Sequence, residues 1–203
     1  MTRIKLCGLT RPCDIEAVNE LKPEYIGFVF AQKSRRYITA EKAEELKKLL
    51  HPDIETVGVF VNENVETVAR LLSGGIIDIA QLHGSEDENY IGQLRKLTDK
   101  SIIKAFRIES EQDIINAQNS SADFVLLDSG NGGTGTVFDW ELLMNISRPY
   151  FLAGGLDNSN IQDAVRRLNP YAVDVSSGIE TDGLKDKNKM TEFVDIVRKE
   201  DAE

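Results

Sequence analysis

A thiol stands where the first apolar strand of the chain gives way to a glycine and a polar loop. The short predicted strand of residues 4–6, with Ile4 and Leu6 as its apolar residues, is followed by Cys7 and Gly8. A cysteine thiolate can act as a base or a nucleophile, and the glycine lets backbone or ligand come close to it. A single cysteine is more often a small buried apolar side chain. Other residues of the chain are therefore needed to tell whether Cys7 is reactive or only packs as a buried side chain.

Another candidate for chemistry, Asp128, ends a later apolar run and is followed by a glycine-rich segment. Residues 130–135 contain four glycines, among them Gly132, Gly133 and Gly135. Glycine loses the most conformational entropy when it is ordered, so this segment does not favour a rigid element. We expect a mobile loop that closes over a ligand, with a solvated linker as the alternative.

Two further segments have the residue types of a phosphate cradle. Gly154 and Gly155 follow one apolar run, and Ser176, Ser177 and Gly178 follow the next. Glycines allow backbone N–H groups to approach phosphate oxygens, and serine hydroxyls add donors. Each segment taken alone could be a simple turn. Because both follow neighbouring strands, we predict that together they bind phosphate.

Several other polar residues follow apolar runs, and the pattern leaves their roles open. Arg35 and Arg36 are either solvated or available to clamp a carboxylate. His83, close after Gln81, could be an acid or base, a substrate donor or a structural residue. Asp174 could orient a sugar hydroxyl or anchor its own loop.

The elements that must position these residues are strands and helices in regular alternation. The predicted strands cover residues 4–6, 25–30, 56–61, 77–81, 102–106, 124–128, 150–153 and 172–175. They do not alternate strictly between polar and apolar residues, as is typical of parallel strands buried on both faces. The polar candidates all follow the carboxyl ends of these strands.

Amphipathic stripes between the strands predict helices. Apolar residues at helical spacing form four of these stripes: 43, 46, 49 and 50; 65, 68, 69 and 72; 161, 164, 165 and 168; and 190, 193, 194 and 197. Thr39 is the expected N-cap of the first stripe, and Asn158 or Asn160 that of the third. A short helix over residues 139–146 is the weakest of the predicted elements.

Eight strand–helix units in 203 residues predict a (β/α)8 barrel, an α/β fold, as a single domain spanning residues 1–203. The alternative is an open doubly wound sheet. That fold would normally carry a G-x-G-x-x-G turn after its first strand, and Cys7-Gly8-Leu9-Thr10 does not match it. In a barrel, all eight strand ends meet at one rim, which would gather the polar candidates into one site.

Composition and charge limit which binding partners and which cellular location we expect. The formal net charge is −10, which disfavours nucleic acid as a partner but leaves a small anionic substrate possible. No apolar run approaches a membrane span, and the first residues lack the apolar core of a signal peptide, so we expect a cytoplasmic protein with no membrane contact. The two cysteines and two histidines make a poor metal site, and none is expected. A monomer is expected, with a dimer as the alternative.

Taken in order, these segments resemble the phosphoribosylanthranilate isomerase family of tryptophan biosynthesis. The resemblance runs through most of the chain, over residues 5–10, 27–30, 33–38, 57–62, 81–84, 126–129, 133–135, 138–140, 153–156 and 173–180. It implies a cofactor-free Amadori rearrangement of N-(5-phosphoribosyl)anthranilate in a barrel. It also implies that Cys7 is the general base, that Asp128 is the general acid and that Arg36 holds the anthranilate carboxylate.

Three other functions are the alternatives to this isomerase activity. The related sugar isomerase of histidine biosynthesis typically has aspartates at both catalytic positions, which Cys7 does not match. Indole-glycerol-phosphate synthase would need a lysine and a glutamate at strand ends, and Lys104 falls inside a predicted strand. A non-catalytic or regulatory sugar-phosphate-binding barrel would keep the cradle but would not need a thiol paired with a carboxyl group.

Overall fold

The chain forms a closed barrel of eight parallel strands in a computed structural model that describes residues 1–128, 140–143 and 145–202, except for the side chain of Glu141. The strands follow chain order around the barrel, and β8 pairs with β1. Their bounds are β1 Arg3–Cys7, β2 Tyr25–Val29, β3 Glu55–Phe60, β4 Ile79–Leu82, β5 Ile102–Arg107, β6 Phe124–Asp128, β7 Tyr150–Ala153 and β8 Ala172–Val175. The barrel prediction is confirmed, and the open sheet is wrong.

Helices follow the strands and cover the barrel. They are α1 Pro12–Leu21, α2 Ala40–Lys47, α3 Val65–Ser73, α4 Glu88–Arg95, α5 Glu111–Asn119, α6 Trp140–Leu143, α7 Ile161–Leu168 and α8 Lys187–Glu200. Thr39 caps α2 by accepting from the backbone of Lys42, as predicted. Asn160 occupies the N-cap position of α7. The predicted lid glycines Gly132, Gly133 and Gly135 lie outside the described residues.

Side chains alternate between the two faces of each barrel strand. On β1, Ile4 and Leu6 pack into the cluster shared with the helices, whereas Lys5 and Cys7 lie on the opposite, inner face. Eight apolar residues fill the interior below the site: Tyr25, Val57, Ile79, Ile103, Leu126, Phe151, Ala153 and Ala172. This packed layer is the floor that supports the residues at the strand ends.

A small β-hairpin between β8 and α8 was missing from the sequence prediction. It pairs β9 (Glu180–Thr181) with β10 (Leu184–Lys185) in antiparallel fashion. Asp182 and Gly183 form its turn with φ of 52° and 80°. Positive φ at both central residues is the two-residue hairpin geometry that Asp-Gly favours, so the Asp-Gly pair was the signal for it.

Several predicted boundaries moved by one or more residues. β4 was predicted over 77–81 but spans Ile79–Leu82. The carboxylate of Asp78, just before it, accepts hydrogen bonds from Thr56 and Lys47. The first helical stripe was predicted to include Leu49, but α2 ends at Lys47 and the Leu49 side chain is 54% exposed. Within the described residues, we find no helix whose length and apolar character would allow it to cross a membrane.

We predict that Phe151→Ala destabilises the barrel by about 3–5 kcal/mol, because it removes a large fully buried side chain from the floor. Phe151 contacts the rings of Tyr25, Phe124 and Tyr171 at centroid distances of 5.4, 5.8 and 5.7 Å. The free energy of unfolding in urea, followed by circular dichroism, measures the loss. Leu49→Ala is the exposed control and should change it by less than about 0.5 kcal/mol.

Candidate active site

A cavity of about 290 Å³ opens at the carboxyl ends of the strands. It gathers most of the predicted site residues. Its lining comprises Cys7, Arg36, Val59, Gln81, His83, Asp128, Ala153, Gly154, Gly155, Leu156, Asp174, Val175, Ser176 and Ser177. A volume near 300 Å³ is at the lower end of the range for small-ligand sites.

Cys7 ends β1 and is almost fully buried at the cavity wall, beside Val29 and Val59. Its cross-strand partner is Gly27 on β2. A Cβ atom at residue 27 would lie 2.4 Å from the Cys7 sulfur, which is shorter than any allowed contact. Gly27 therefore makes the space that the thiol occupies, and Cys7 is free to face the cavity rather than the helices.

Lys5 lies on the same inner face as Cys7, one pleat below it, and is completely buried. Its Nζ is 2.9 Å from Oδ2 of Asp174 on β8. Burial works to lower the pKa of Lys5, but the carboxylate of Asp174 and the thiol of Cys7 together raise it above its ordinary value. Lys5 is therefore a permanent cation beneath the thiol.

Burial and neighbouring charges shift the pKa of the Cys7 thiol in opposite directions. Burial raises the pKa of Cys7 above its ordinary value, because a thiolate is poorly solvated there. The ammonium groups of Lys5 and Lys185 act in the opposite direction, while the carboxylate of Asp174 adds to the rise. The two lysines are thus the electropositive neighbours that a thiolate at this position requires.

His83 connects the residues at the end of β4 with the end of β6. Its Nε2 is 3.4 Å from Oδ2 of Asp128, and its Nδ1 is 2.9 Å from Nε2 of Gln81. Among the described residues, Oε1 of Gln81 and Oδ1 of Asp174 are buried without a hydrogen-bond partner. Both side chains line the cavity, so these acceptors suit hydroxyl groups of a ligand.

Arg36 reaches the cavity from the loop after β2, whereas Arg35 is 60% exposed and stays outside its lining. Glu180 of the hairpin holds the Arg36 guanidinium in two places. Nε donates to Oε1 at 2.6 Å, and Nη2 donates to Oε2 at 2.9 Å. The arginine at the cavity is therefore fixed by an ion pair with the hairpin.

The loops after β7 and β8 form one wall. Gly154 and Gly155 have φ of 91° and 65°, a region that favours glycine. Asn160 donates to the carbonyl of Gly155 and fixes that loop. Gly178 packs against the loop instead of lining the cavity, since a Cβ there would lie 2.0 Å from the Leu156 carbonyl. Gly178 thus keeps the two cradle loops together.

The part of the chain that the structure describes holds no cluster of three or more histidine, cysteine, aspartate or glutamate side chains suited to a metal ion.

Comparison with known proteins shows which family this chain belongs to. The family model for N-(5′-phosphoribosyl)anthranilate (PRA) isomerase matches residues 4–196. The chain belongs to the PRA isomerase family. An N-(5′-phosphoribosyl)anthranilate isomerase from Endomicrobium trichonymphae is 46% identical over 202 residues, covering 98% of this chain and 99% of that protein. The family resemblance of the sequence is therefore confirmed.

Solved structures of the PRA isomerase family have the same barrel. The enzyme from Thermotoga maritima is 34% identical with a TM-score of 0.88, and the match covers 98% of this chain and all of that one. A second structure, at 33% identity and a TM-score of 0.86 with the same coverage, is a complex with reduced 1-(o-carboxyphenylamino)-1-deoxyribulose 5-phosphate.

Sequence reasoning missed four residues that contact or support side chains of this cavity. Lys5 could have been found, because it lies two residues before Cys7 and alternation places both on one strand face. Gly27, opposite Cys7, required the strand register. Glu180 and Lys185 lie on the overlooked hairpin, so their approach to the cavity had no local signal.

We predict that Lys5→Met raises the pH at which Cys7 becomes reactive, because the thiolate loses its nearest cation while Asp174 remains. The measurement is the rate of alkylation by iodoacetamide against pH. A Cys13→Ser background removes the exposed second thiol. The control is Lys104→Met, another buried strand lysine, which donates instead to the carbonyls of Leu82 and Gly84. An unchanged alkylation midpoint in Lys5→Met would contradict the role of the lysine.

Proposed function

We propose that this chain isomerises N-(5′-phosphoribosyl)anthranilate to 1-(2-carboxyphenylamino)-1-deoxyribulose 5-phosphate, without a cofactor, in tryptophan biosynthesis. The observation that carries the proposal is the shared cavity. It brings Cys7, Asp128 and Arg36 together with the two loops of the phosphate cradle, in a chain of the PRA isomerase family. An acid, a base, a carboxylate partner and a phosphate site are what this aldose–ketose isomerisation requires.

The first step opens the furanose ring. Asp128, as a carboxylic acid, gives its proton to the ring oxygen while the C1′–O bond breaks. The anthranilate nitrogen supplies its lone pair to C1′, and a protonated Schiff base forms. His83, 3.4 Å from Asp128, is positioned to keep the carboxyl group oriented toward the cavity. This role for Asp128 is consistent with its place at the end of β6, in the lining of the cavity.

The second step moves a proton from C2′. The Schiff base acidifies the C2′–H bond, and the Cys7 thiolate removes that proton to give an enolamine. The enolamine then takes up a proton at C1′ and loses the proton of its C2′ hydroxyl, which yields the ketone. The cations of Lys5 and Lys185 favour the thiolate against the opposing effect of burial. Cys7 is therefore the base that the site supports best.

The remaining residues suit the carboxylate, the phosphate and the sugar hydroxyls of the substrate. The Arg36 guanidinium suits the anthranilate carboxylate, because arginine binds carboxylates in a bidentate manner. Gly154, Gly155, Ser176 and Ser177, with Gly178 holding their loops together, suit the phosphate. Gln81 and Asp174 each bring to the cavity one buried acceptor that has no partner among the described residues, and these acceptors suit the sugar hydroxyls.

The competing functions fit these residues less well. A sugar-phosphate-binding barrel without activity has no need for a buried lysine that adjoins a cavity-facing thiol. The histidine-pathway isomerase reaction is less consistent with a thiol as the base. That the chain is a single domain and a monomer stays a prediction.

We predict that Cys7→Ala and Asp128→Ala each remove nearly all turnover, because each lacks one of the two proton-transfer groups. The assay follows the loss of phosphoribosylanthranilate fluorescence. Binding of a reduced product analogue should change little, which separates chemistry from affinity. Near-normal kcat in Cys7→Ala would refute the assignment of the base, and an inactive but folded wild-type protein would favour the binding-only function.

We predict that Ser177→Asp raises KM for the substrate by roughly tenfold or more, because a carboxylate at the cradle repels the phosphate. Inorganic phosphate should inhibit the wild-type enzyme competitively and the variant more weakly. Ser73→Asp, at the end of α3 and away from the cavity, is the control that adds the same charge elsewhere. Equal KM values for the two variants would place the phosphate outside these loops.

A further inference from the structure

The buried carboxylate of Glu180 holds three cations at the mouth of the barrel. Besides its two bonds to Arg36, it accepts from Nη2 of Arg35 at 2.7 Å and from Nζ of Lys185 at 2.6 Å. Burial works to raise the pKa of Glu180, but Arg36 and Lys185 bring it below its ordinary value. Glu180 is therefore ionised, and three positive charges face one negative charge.

Glu180 binds only one edge of the Arg36 guanidinium. A guanidinium has two edges that can each bind a carboxylate through two hydrogen bonds. Glu180 uses the edge formed by Nε and Nη2. The edge formed by Nη1 and the second Nη2 hydrogen has no hydrogen-bond partner among the residues described here. Arg36 can therefore keep Glu180 and bind a second carboxylate at the same time.

The stem of Arg36 and the hairpin are also tied to the strand that carries the thiol. A Cβ on Gly8 would lie 2.4 Å from Cδ of Arg36, so this glycine lets the arginine cross directly over the end of β1. Lys185 donates to the carbonyl of Ser176, whose hydroxyl donates to the carbonyl of Cys7. The position of the guanidinium relative to Cys7 is thus set by contacts on both sides.

We propose that Glu180 is a positioning residue that presents the free edge of Arg36 to the carboxylate of the substrate, and so makes the site select an aromatic amine that carries that carboxylate. The proposal rests on the proposed function. An arginine that is free to rotate loses conformational entropy when it binds a carboxylate ligand. Because Glu180 already holds the Arg36 side chain in place, less of that entropy is lost when the substrate binds. The negative charge of Glu180 also keeps the guanidinium in place without occupying the edge that binds.

The test uses two ligands that differ only in the carboxyl group. One is reduced 1-(o-carboxyphenylamino)-1-deoxyribulose 5-phosphate, and the other is the same compound with an unsubstituted phenyl ring. Glu180→Gln should weaken the first roughly tenfold or more and change the second by less than about twofold, measured by calorimetry. KM for the substrate should rise more than kcat falls. In an Arg36→Ala background, Glu180→Gln should have no further effect on the carboxylated ligand.

Matched variants keep the test specific. Glu200 binds Arg166 through both carboxylate oxygens on the outside of the barrel, and its side chain is 8% exposed, so Glu200→Gln removes a similar ion pair without changing either affinity. Glu180→Asp keeps the charge but shortens the reach, and should show the same selective loss if Glu180→Gln does not fold. Equal weakening of both ligands, or of neither, would overturn the proposal. A wild-type protein that binds both ligands but does not turn over phosphoribosylanthranilate would refute the proposed function instead.

Discussion

The ion pair between Lys5 and Asp174 lies at the seam where the first and last strands close the barrel. These two residues are register partners on β1 and β8, and the lysine is completely buried there. A buried charge without a partner would be strongly destabilising, so the two strands are constrained to meet in this register. The same pair places a cation below Cys7 and leaves at the cavity a carboxylate oxygen that has no hydrogen-bond partner in the described part of the chain. Closure of the fold and the electrostatics of the site thus depend on one contact.

Much of the fold could be predicted because its signals are local. Apolar runs and helical stripes identified all eight barrel strands, and capping chemistry identified the start of α2 at Thr39. Contacts distant in the chain lie beside at least one boundary that moved. Asp78, for example, is held by Thr56 and Lys47 from earlier elements, which no local pattern around β4 could indicate.

The candidate site was only partly predictable, for the same reason. Residues that follow strands, such as Cys7, Asp128 and the glycines after β7, could be grouped because parallel strands of a barrel end at one rim. Which of two adjacent arginines faces the cavity could not be derived from spacing. The fold shows it: Glu180, which lies 144 residues after Arg36, accepts two hydrogen bonds from Arg36 and one from Arg35, and only Arg36 lines the cavity while Arg35 remains 60% exposed.

Three of the pairs at the cavity join residues that are distant in the chain. Lys5 pairs with Asp174, Arg36 with Glu180, and His83 contacts Asp128. During synthesis, the first half of the chain therefore leaves the ribosome with its lysine and arginine unpaired, and these side chains remain hydrated until β8 and the hairpin follow. Neither half of the barrel carries a complete site by itself. A half-barrel taken from another protein would have to supply a partner for each of these charges.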